Sequence, residues 1–144
     1  SVVETPGMAA RGTPNDELTF HHDLTKLDAA DIIFCSGVLQ AVPDPMGIAR
    51  QLAAIPARLL ILDRQHFHPK PGFGVQYSLL SANGPGPLVG TRDRIVAYPF
   101  AFVPKPDLLE ALRPWTPIVD VETDESTTVS GRFCESRLLV LNKP

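Results

Sequence analysis

The chain has 144 residues, of which 44% are hydrophobic and 20% are charged, and its formal net charge is −3. This length suits one domain with a real hydrophobic core, and the composition excludes a disordered tail, a collagen-like repeat and a coiled coil. Scattered basic residues on an acidic chain argue against nucleic-acid binding, and no apolar run approaches the roughly 20 residues that span a bilayer. We therefore predict a single cytoplasmic domain over residues 1–144, with no nucleic-acid partner and no membrane partner.

Two short strands are predicted near the start of the chain. Residues 1–4 open on a β-branched pair and end in an acid before a Thr-Pro-Gly break, a pattern typical of the end of a strand rather than of the start of a domain. We therefore expect a segment upstream of Ser1 to be missing. Residues 18–20 form the second candidate strand, which leads into a polar cluster ending at Asp23.

A strand–helix–strand unit is predicted next. The strand predicted over residues 31–35 holds four consecutive apolar residues after Asp31, and residues 59–62 are also a continuous apolar run. Such runs are typical of strands buried on both faces of a parallel sheet. Between them, Asp44 can cap a helix that begins at Pro45, where the missing N–H costs nothing, and Pro56 stops this helix. The crossover of such a βαβ unit is expected to be right-handed.

The second half of the chain is predicted to hold one helix and two strands. Residues 65–104 are rich in proline, glycine and aromatic residues and show no strong period, so we predict a long loop. Residues 106–113 are predicted as a short helix. The strands predicted at residues 118–121 and 137–141 have no helix between them, so we expect an antiparallel pair at the end of the parallel sheet.

Several apolar and aromatic side chains are predicted to pack in the interior. Cys35 and Cys134 lie within apolar runs, which favours two buried free thiols over a disulfide framework. The apolar surroundings of Cys35 also argue against a nucleophilic role. Trp115, Phe100 and Phe102 are interpreted as packing residues rather than as a substrate cage.

Three stretches of the chain carry a family resemblance: DIIFCSGVLQ with the following VPDP (residues 31–40 and 42–45), LLILDR (residues 59–64), and Tyr98-Pro99. They resemble the class I S-adenosylmethionine-dependent methyltransferase fold, and are similar to a bacterial methyltransferase family of unassigned substrate. The resemblance covers the chain from the second strand of the fold onward. It implies an α/β fold: a Rossmann-like, mostly parallel sheet with a C-terminal antiparallel strand pair, lacking the first strand and its Gly-rich loop.

The resemblance also implies a binding site for S-adenosylmethionine. A carboxylate at the end of the second strand would hold the two ribose hydroxyls, because one carboxylate can accept both hydrogen bonds. A second acid and its neighbours would lie beside the adenine, and small residues at the carboxyl end of a central strand would line the ligand crevice. The residues implied are Glu4 for the ribose, His22, Asp23 and Leu24 for the adenine, and Ser36 and Gly37 for the crevice.

The segment directly after the second buried strand, residues 63–68, holds the densest chemistry in the sequence. We predict His66 and Asp63 as the catalytic residues, with the histidine as general base on a hydroxyl or amine acceptor. A metal site built on His66 and His68 would need two further ligands, which nothing fixes nearby, so we predict no metal. An ordinary polar loop, with Asp63 and Arg64 as a local ion pair, remains the alternative.

The chain departs from the family because no Gly-rich turn follows an apolar run; Gly84-Pro-Gly86 lies in a proline-rich stretch. Either the chain is a C-terminal fragment of a methyltransferase, or it is a non-catalytic remnant or binding module. A different α/β enzyme such as a hydrolase is disfavoured because no G-x-S-x-G sequence is present. A missing central strand would leave unpaired backbone, so we also expect a homodimer.

The function implied by the resemblance is methyl transfer from S-adenosylmethionine to a small-molecule acceptor. Direct displacement at the sulfonium carbon needs mainly alignment of the two reactants, with a base where the acceptor must lose a proton. Because half of the cofactor site is absent, we expect the isolated chain to bind the cofactor weakly or not at all.

Overall fold

A mixed α/β fold with two sheets is formed by residues 23–27, 29–82 and 93–143, which are the residues described by this computed structural model. The helices are α1 (Pro45–Ala54) and α2 (Lys105–Ala111), and 3-10 turns lie at Leu24–Lys26, Leu39–Ala41 and Leu80–Ala82. The strands are β1 (Ala30–Ser36), β2 (Ala57–Phe67), β3 (Gly72–Leu79), β4 (Ile95–Phe102), β5 (Thr116–Glu122), β6 (Thr127–Val129) and β7 (Arg132–Asn142). The two strands predicted within residues 1–22 lie outside the described residues.

The predicted strand–helix–strand unit is confirmed. β1 and β2 pair in parallel, from Ala30 opposite Ala57 to Ser36 opposite Asp63. Helix α1 joins them, and the Asp44 carboxylate caps it by accepting a hydrogen bond of 2.8 Å from the backbone N–H of Gly47. The unit therefore places the carboxyl end of β1, at Ser36, beside Asp63, where the parallel pairing with β2 stops.

Both helices pack on one face of the larger sheet. Leu52 of α1 and Leu108 of α2 lie in the same apolar cluster as Leu60 and Leu62 of β2. The predicted packing role of Trp115 is confirmed, since its indole N–H donates to the Ala53 carbonyl oxygen at 3.3 Å within this cluster. Burial of this face supplies the main stabilisation of the fold.

A second, smaller cluster holds the other predicted packing residues. Phe100 and Phe102 of β4 lie there with Val129 and Cys134. Both cysteines are free and buried, as predicted. For Cys35, burial raises the pKa of the thiol to about 11, and a backbone hydrogen bond from Val38 opposes this rise. Because the thiolate is the nucleophilic form, the structure agrees with the expectation that Cys35 is not a nucleophile.

The prediction of a mostly parallel sheet is not confirmed. The strand order is β1-β2-β7-β5, with β6 also paired to β7, and only the β1–β2 pairing is parallel among those described in this sheet. The predicted antiparallel pairing of the last two strands is present as β5 and β7. Strand β7, however, lies between β2 and β5, where Leu139 and Leu141 are fully buried.

The prediction that residues 31–35 are buried on both faces is wrong for β1. Cys35 is buried under the helices, but the alternating residues Ile32 and Phe34 point to the other face, where Phe34 is 65% exposed. The physical reason is that α1 and α2 both cover the same face. On β5, Ile118 and Val121 are exposed as well, so no described element covers the opposite face at these positions.

The long loop predicted over residues 65–104 is also wrong. Strand β2 continues to Phe67, and β3 and β4 pair antiparallel to form the second sheet. The alternation of small or polar with large apolar residues over Gly72–Leu79 is the period of a strand.

No helix among the described ranges is long and apolar enough to cross a membrane.

Candidate functional site

The candidate site lies where β1 ends beside β2. The Ser36 hydroxyl donates to Asp63 Oδ2 at 2.8 Å, and the backbone N–H of Gly37 donates to the Asp63 carbonyl oxygen at 2.9 Å. Gly37 has φ +62°, a left-handed conformation that glycine adopts without the steric cost of a Cβ. The chain therefore leaves the sheet in a tight turn at the edge where open α/β sheets bind ligands.

Residues 63–67 are part of a strand and not of the loop predicted from the sequence. The register of β2 against β7 shifts between Leu62 and Gln65, and Arg64 within this bulge has φ +49°. A bulge bends a strand and re-aims its side chains, and such irregularities are frequent next to active sites. Here it separates the buried part of β2 from the polar segment that carries His66.

Arg64 connects β2, in which it lies, to the end of β1. Its Nε donates to the Ser36 hydroxyl at 3.1 Å and lies 3.7 Å from Asp63 Oδ2 and 3.8 Å from Glu125 Oε2. The predicted ion pair with Asp63 is thus present. The Arg64 side chain is more than half exposed, so its ion pairs contribute little to stability. Their geometric effect is to hold the carboxylates of Asp63 and Glu125 near the Ser36 hydroxyl.

His66 is held by hydrogen bonds at both ring nitrogens. Gln40 Nε2 lies 3.1 Å from the Arg64 carbonyl oxygen and 3.0 Å from His66 Nδ1, while His66 Nε2 lies 3.0 Å from the Glu125 carbonyl oxygen. Carbonyl oxygens only accept, so Nε2 of the histidine carries the proton, and Nδ1 accepts from the amide. The arrangement selects one neutral tautomer whose lone pair is occupied by Gln40.

We expect this tautomer to be visible by NMR. In a long-range ¹H–¹⁵N correlation spectrum of the folded chain, His66 should show the pattern of an imidazole protonated at Nε2 alone. Gln40→Leu removes the amide donor while keeping the volume close, and should give a mixture of tautomers. His68 serves as the internal control, because its contacts do not involve Gln40 and its pattern should not change. An Nδ1-protonated His66 in the unmodified chain would contradict the assigned hydrogen bonds.

One atom of this network lacks a partner. Gln40 is 7% exposed, and its Oε1 is buried without a hydrogen-bond donor among the described residues. Both amide hydrogens face acceptors, so turning the amide over would place Oε1 against the Arg64 carbonyl oxygen. A buried acceptor without a donor is costly and is a reason to look for a ligand donor beside it.

The structure brings together part of the site predicted from the sequence. Ser36, Gly37, Asp63 and His66 lie in one network, which Gln40 and Arg64 connect. Glu4 and His22 lie outside the described residues.

Asp23 and Leu24 belong to a different part of the surface. Asp23 caps the first 3-10 turn by accepting from the backbone N–H and the hydroxyl of Thr25, at 2.9 and 2.7 Å. Leu24 packs against the main apolar cluster and lines an open groove of about 520 Å³ along α1, with Arg50 and Gln51. The adenine-binding role of Asp23 and Leu24 stays a prediction.

The described residues bring no three histidine, cysteine or acidic side chains close enough to share a metal ion. The His68 ring contacts Phe102 and the backbone of Lys70, and the His66 ring contacts Phe100 and Gln40. The two histidines are therefore engaged with separate partners.

Sequence reasoning missed Gln40 and Glu125. Gln40 is the last residue of the stretch DIIFCSGVLQ, and Glu125 lies in a polar turn region. A glutamine within an apolar segment is a usable signal, because a buried amide needs partners. For Glu125 the contact is made by the backbone carbonyl oxygen, so side-chain chemistry carries no signal.

No protein-family model matches the chain, and no curated protein matches it. Two solved structures are similar to it: the N-terminal domain of EvdMO1 with SAH bound, at 15% identity, and the same domain in the presence of SAH and D-fucose, at 16% identity. Each likeness covers 85% of this chain at a TM-score of 0.48. The chain spans about half the length of these two chains, 50% of one and 51% of the other.

Proposed function

We propose that this chain belongs to an S-adenosylmethionine-dependent methyltransferase and contributes to methyl transfer onto a small-molecule acceptor. The observation that carries the proposal is the hydrogen bond between Ser36 and Asp63, beside Gly37, at the carboxyl edge of a parallel strand pair. These residues lie within two of the stretches that carry the family resemblance, residues 31–40 and 59–64. Ligands of open α/β sheets bind at this edge.

The residues proposed to hold the cofactor fit it in part. Ser36 and Gly37 would border the crevice, and the Gln40 amide lies beside Gly37, with its Nε2 3.6 Å from the position of an added Cβ. The Oε1 of the same amide is a buried acceptor without a donor among the described residues. S-adenosylmethionine carries ammonium, amine and hydroxyl donors that suit such an acceptor. The bound cofactor supplies an electrophilic methyl group. Glu4 for the ribose, and His22, Asp23 and Leu24 for the adenine, complete the proposed set.

On the acceptor side we propose His66 and Asp63. His66 can take a proton only when Gln40 releases Nδ1, so acceptor binding would have to displace that hydrogen bond. Asp63 is about one-third exposed, and Arg64 and Ser36 hold its Oδ2 in place. Free enzymes often hold catalytic groups in such preliminary contacts, which rearrange once the substrate is bound.

The alternative is a methyltransferase-like binding module without catalysis. It is favoured by the closed network of the site, since Ser36, Asp63, Arg64 and both nitrogens of His66 already have partners within the chain. A binding module needs no free base, whereas an enzyme that deprotonates its acceptor does.

Calorimetric titration with S-adenosylhomocysteine tests the proposal. The titration is made with the 144-residue chain and with any longer product of its reading frame, because we expect the chain alone to bind weakly or not at all. In the form that binds, Gly37→Val should weaken binding by about tenfold or more, since it places a branched side chain at the crevice. Absence of binding by every form would contradict the proposal and favour the non-catalytic module.

Gly131→Val is the matched control for that titration. Gly131 also has a positive φ, of 75°, and no atom lies within 4 Å of the position of an added Cβ. Both substitutions impose the same kind of backbone strain, but Gly131 lies in the turn between β6 and β7. Equal weakening by the two variants would show a loss of folding rather than of a contact with the ligand.

A further inference from the structure

The outer face of the β3–β4 hairpin is apolar and exposed. Along β3, the large residues Phe73, Val75 and Tyr77 are exposed and alternate with less exposed small or polar residues. The register places Tyr77 opposite Ala97, and Val75 opposite Pro99, on the same side of the hairpin. We call this surface the hairpin face; its members are Phe73, Val75, Tyr77, Ile95, Ala97 and Pro99.

The hairpin face is large for a surface that stays in water. Phe73, Tyr77 and Ile95 are 63%, 69% and 74% exposed, and no member of the face carries a charge. Together, the exposed side chains of the six members of the hairpin face amount to about 600 Å². This is the upper end of the range found for the largest apolar patch on an ordinary monomer. Covering this area would contribute a substantial hydrophobic stabilisation.

The edges of the hairpin are closed to strand addition at its centre. The Ser130 hydroxyl accepts from the backbone N–H of Val75 at 3.0 Å and lies 3.3 Å from the carbonyl oxygen of the same residue. These groups point away from β4, so the residue opposite, Pro99, presents its backbone nitrogen to the other edge, where it has no hydrogen to donate. Strand addition is therefore blocked at these two positions, which favours the face over the edges as a contact surface.

The hairpin is packed through one of its two faces. A two-stranded sheet is marginally stable on its own and gains stability from packing. On the inner face, Phe100 and Phe102 pack into the cluster with Val129 and Cys134. The outer face has no comparable cover at its exposed members among the described residues.

We propose that a second copy of this chain covers the hairpin face, in a two-fold symmetric dimer with the two hairpins packed face to face. In a two-fold interface the same patch of both copies meets, and a surface without charge meets its own copy without like-charge repulsion. Two copies would bury about 1,200 Å² in total, the lower limit of specific, stable interfaces, so the dimer should be a weak one. This interface differs from the one expected from the missing strand, and it does not depend on the methyltransferase proposal.

Analytical ultracentrifugation of the full chain tests the interface. Over about 1 to 200 µM the unmodified chain should pass from monomer to dimer, as a micromolar dissociation constant requires. Tyr77→Lys places a charge in the centre of the face and should raise the dissociation constant by about tenfold or more. Ile95→Lys, on the other strand, should act in the same direction and gives a second variant where the first fails to fold by circular dichroism.

Phe34→Lys is the matched control, since Phe34 is 65% exposed on β1, which pairs in the other sheet. It should leave the dimer intact. A chain that stays monomeric up to about 200 µM, or a dimer lost with Phe34→Lys and kept with both hairpin variants, would overturn the proposal. Binding of a monomeric chain to phosphatidylcholine vesicles, abolished by Tyr77→Lys, would assign the face to lipid and overturn it as well.

Discussion

Leu62→Ala is expected to lower the free energy of unfolding by about 3 to 4 kcal/mol. Leu62 is fully buried in the main cluster, directly before the bulge of β2, and lies opposite both Cys35 of β1 and Leu139 of β7. Its truncation removes apolar contacts and leaves a cavity that two paired neighbours cannot easily close. Urea unfolding followed by circular dichroism measures the loss, together with a melting temperature lower by roughly 10 °C.

Ile61→Ala is the matched control for this prediction. Ile61 is the preceding residue on the same strand, points to the other face and lies opposite the exposed Phe34. Since it is only partly buried, its truncation should cost about half as much or less. Equal costs for the two variants would show that the second face of the sheet is covered in the folded protein, and would contradict the one-sided burial of β1.

The same strand shows what local pattern can and cannot predict. The apolar runs around Leu60 and Ile33 predict strands, and Asp44 with Pro45 predicts the start of α1, because each signal acts within a few residues. Burial on both faces is a tertiary property, which depends on where the helices pack. The sequence alone therefore could not predict that Phe34 is exposed while Cys35 is buried.

The hairpin was missed for a related reason. Residues 72–79 alternate with the period of a strand, but two glycines weaken the pattern, and Pro99 within β4 argues against a strand by the usual rule. The rule fails here because Pro99 presents its nitrogen to the outer edge of the hairpin, where no ladder hydrogen bond is required. Which edge a proline faces depends on strand register, which single residues do not report.

The candidate site was predicted only in part. Ser36 was implied by the family resemblance, and Asp63 and His66 were predicted because they follow a buried strand, where active-site loops are common. The links between them depend on the bulge at Arg64 and on the buried amide of Gln40. Arg64 is a non-glycine residue with a positive φ, a conformation that has no reliable signal in the sequence. The tautomer of His66 could therefore be derived only from the three-dimensional structure.

At alkaline pH, the buried thiol of Cys35 is expected to make the fold less stable. Burial raises the pKa of its thiol from 9.0 to about 11, so the folded chain keeps this proton where the unfolded chain has lost it. Below about pH 9 both states are protonated, and Cys35 contributes no pH dependence. As the pH rises from about 9 to 11 the unfolded state is increasingly favoured, and the free energy of unfolding should fall by about 2 to 3 kcal/mol from this group.

The contribution of the Cys35 thiol is measured by urea unfolding of the unmodified chain and of two cysteine variants. The measurements are made at a series of pH values, at one protein concentration and under reducing conditions. Lysines and tyrosines titrate in the same range, so the quantity to compare is the difference in slope between the unmodified chain and Cys35→Ala. Cys134→Ala is the control: burial raises the pKa of that thiol as well, but its removal leaves Cys35 in place, so most of the alkaline loss should persist. The free energy of unfolding of the unmodified chain and of Cys35→Ala could instead change in parallel between about pH 9 and 11. This result would mean that the Cys35 thiol reaches water in the folded state. The end of β1 would then be more open than its packing against α1 indicates.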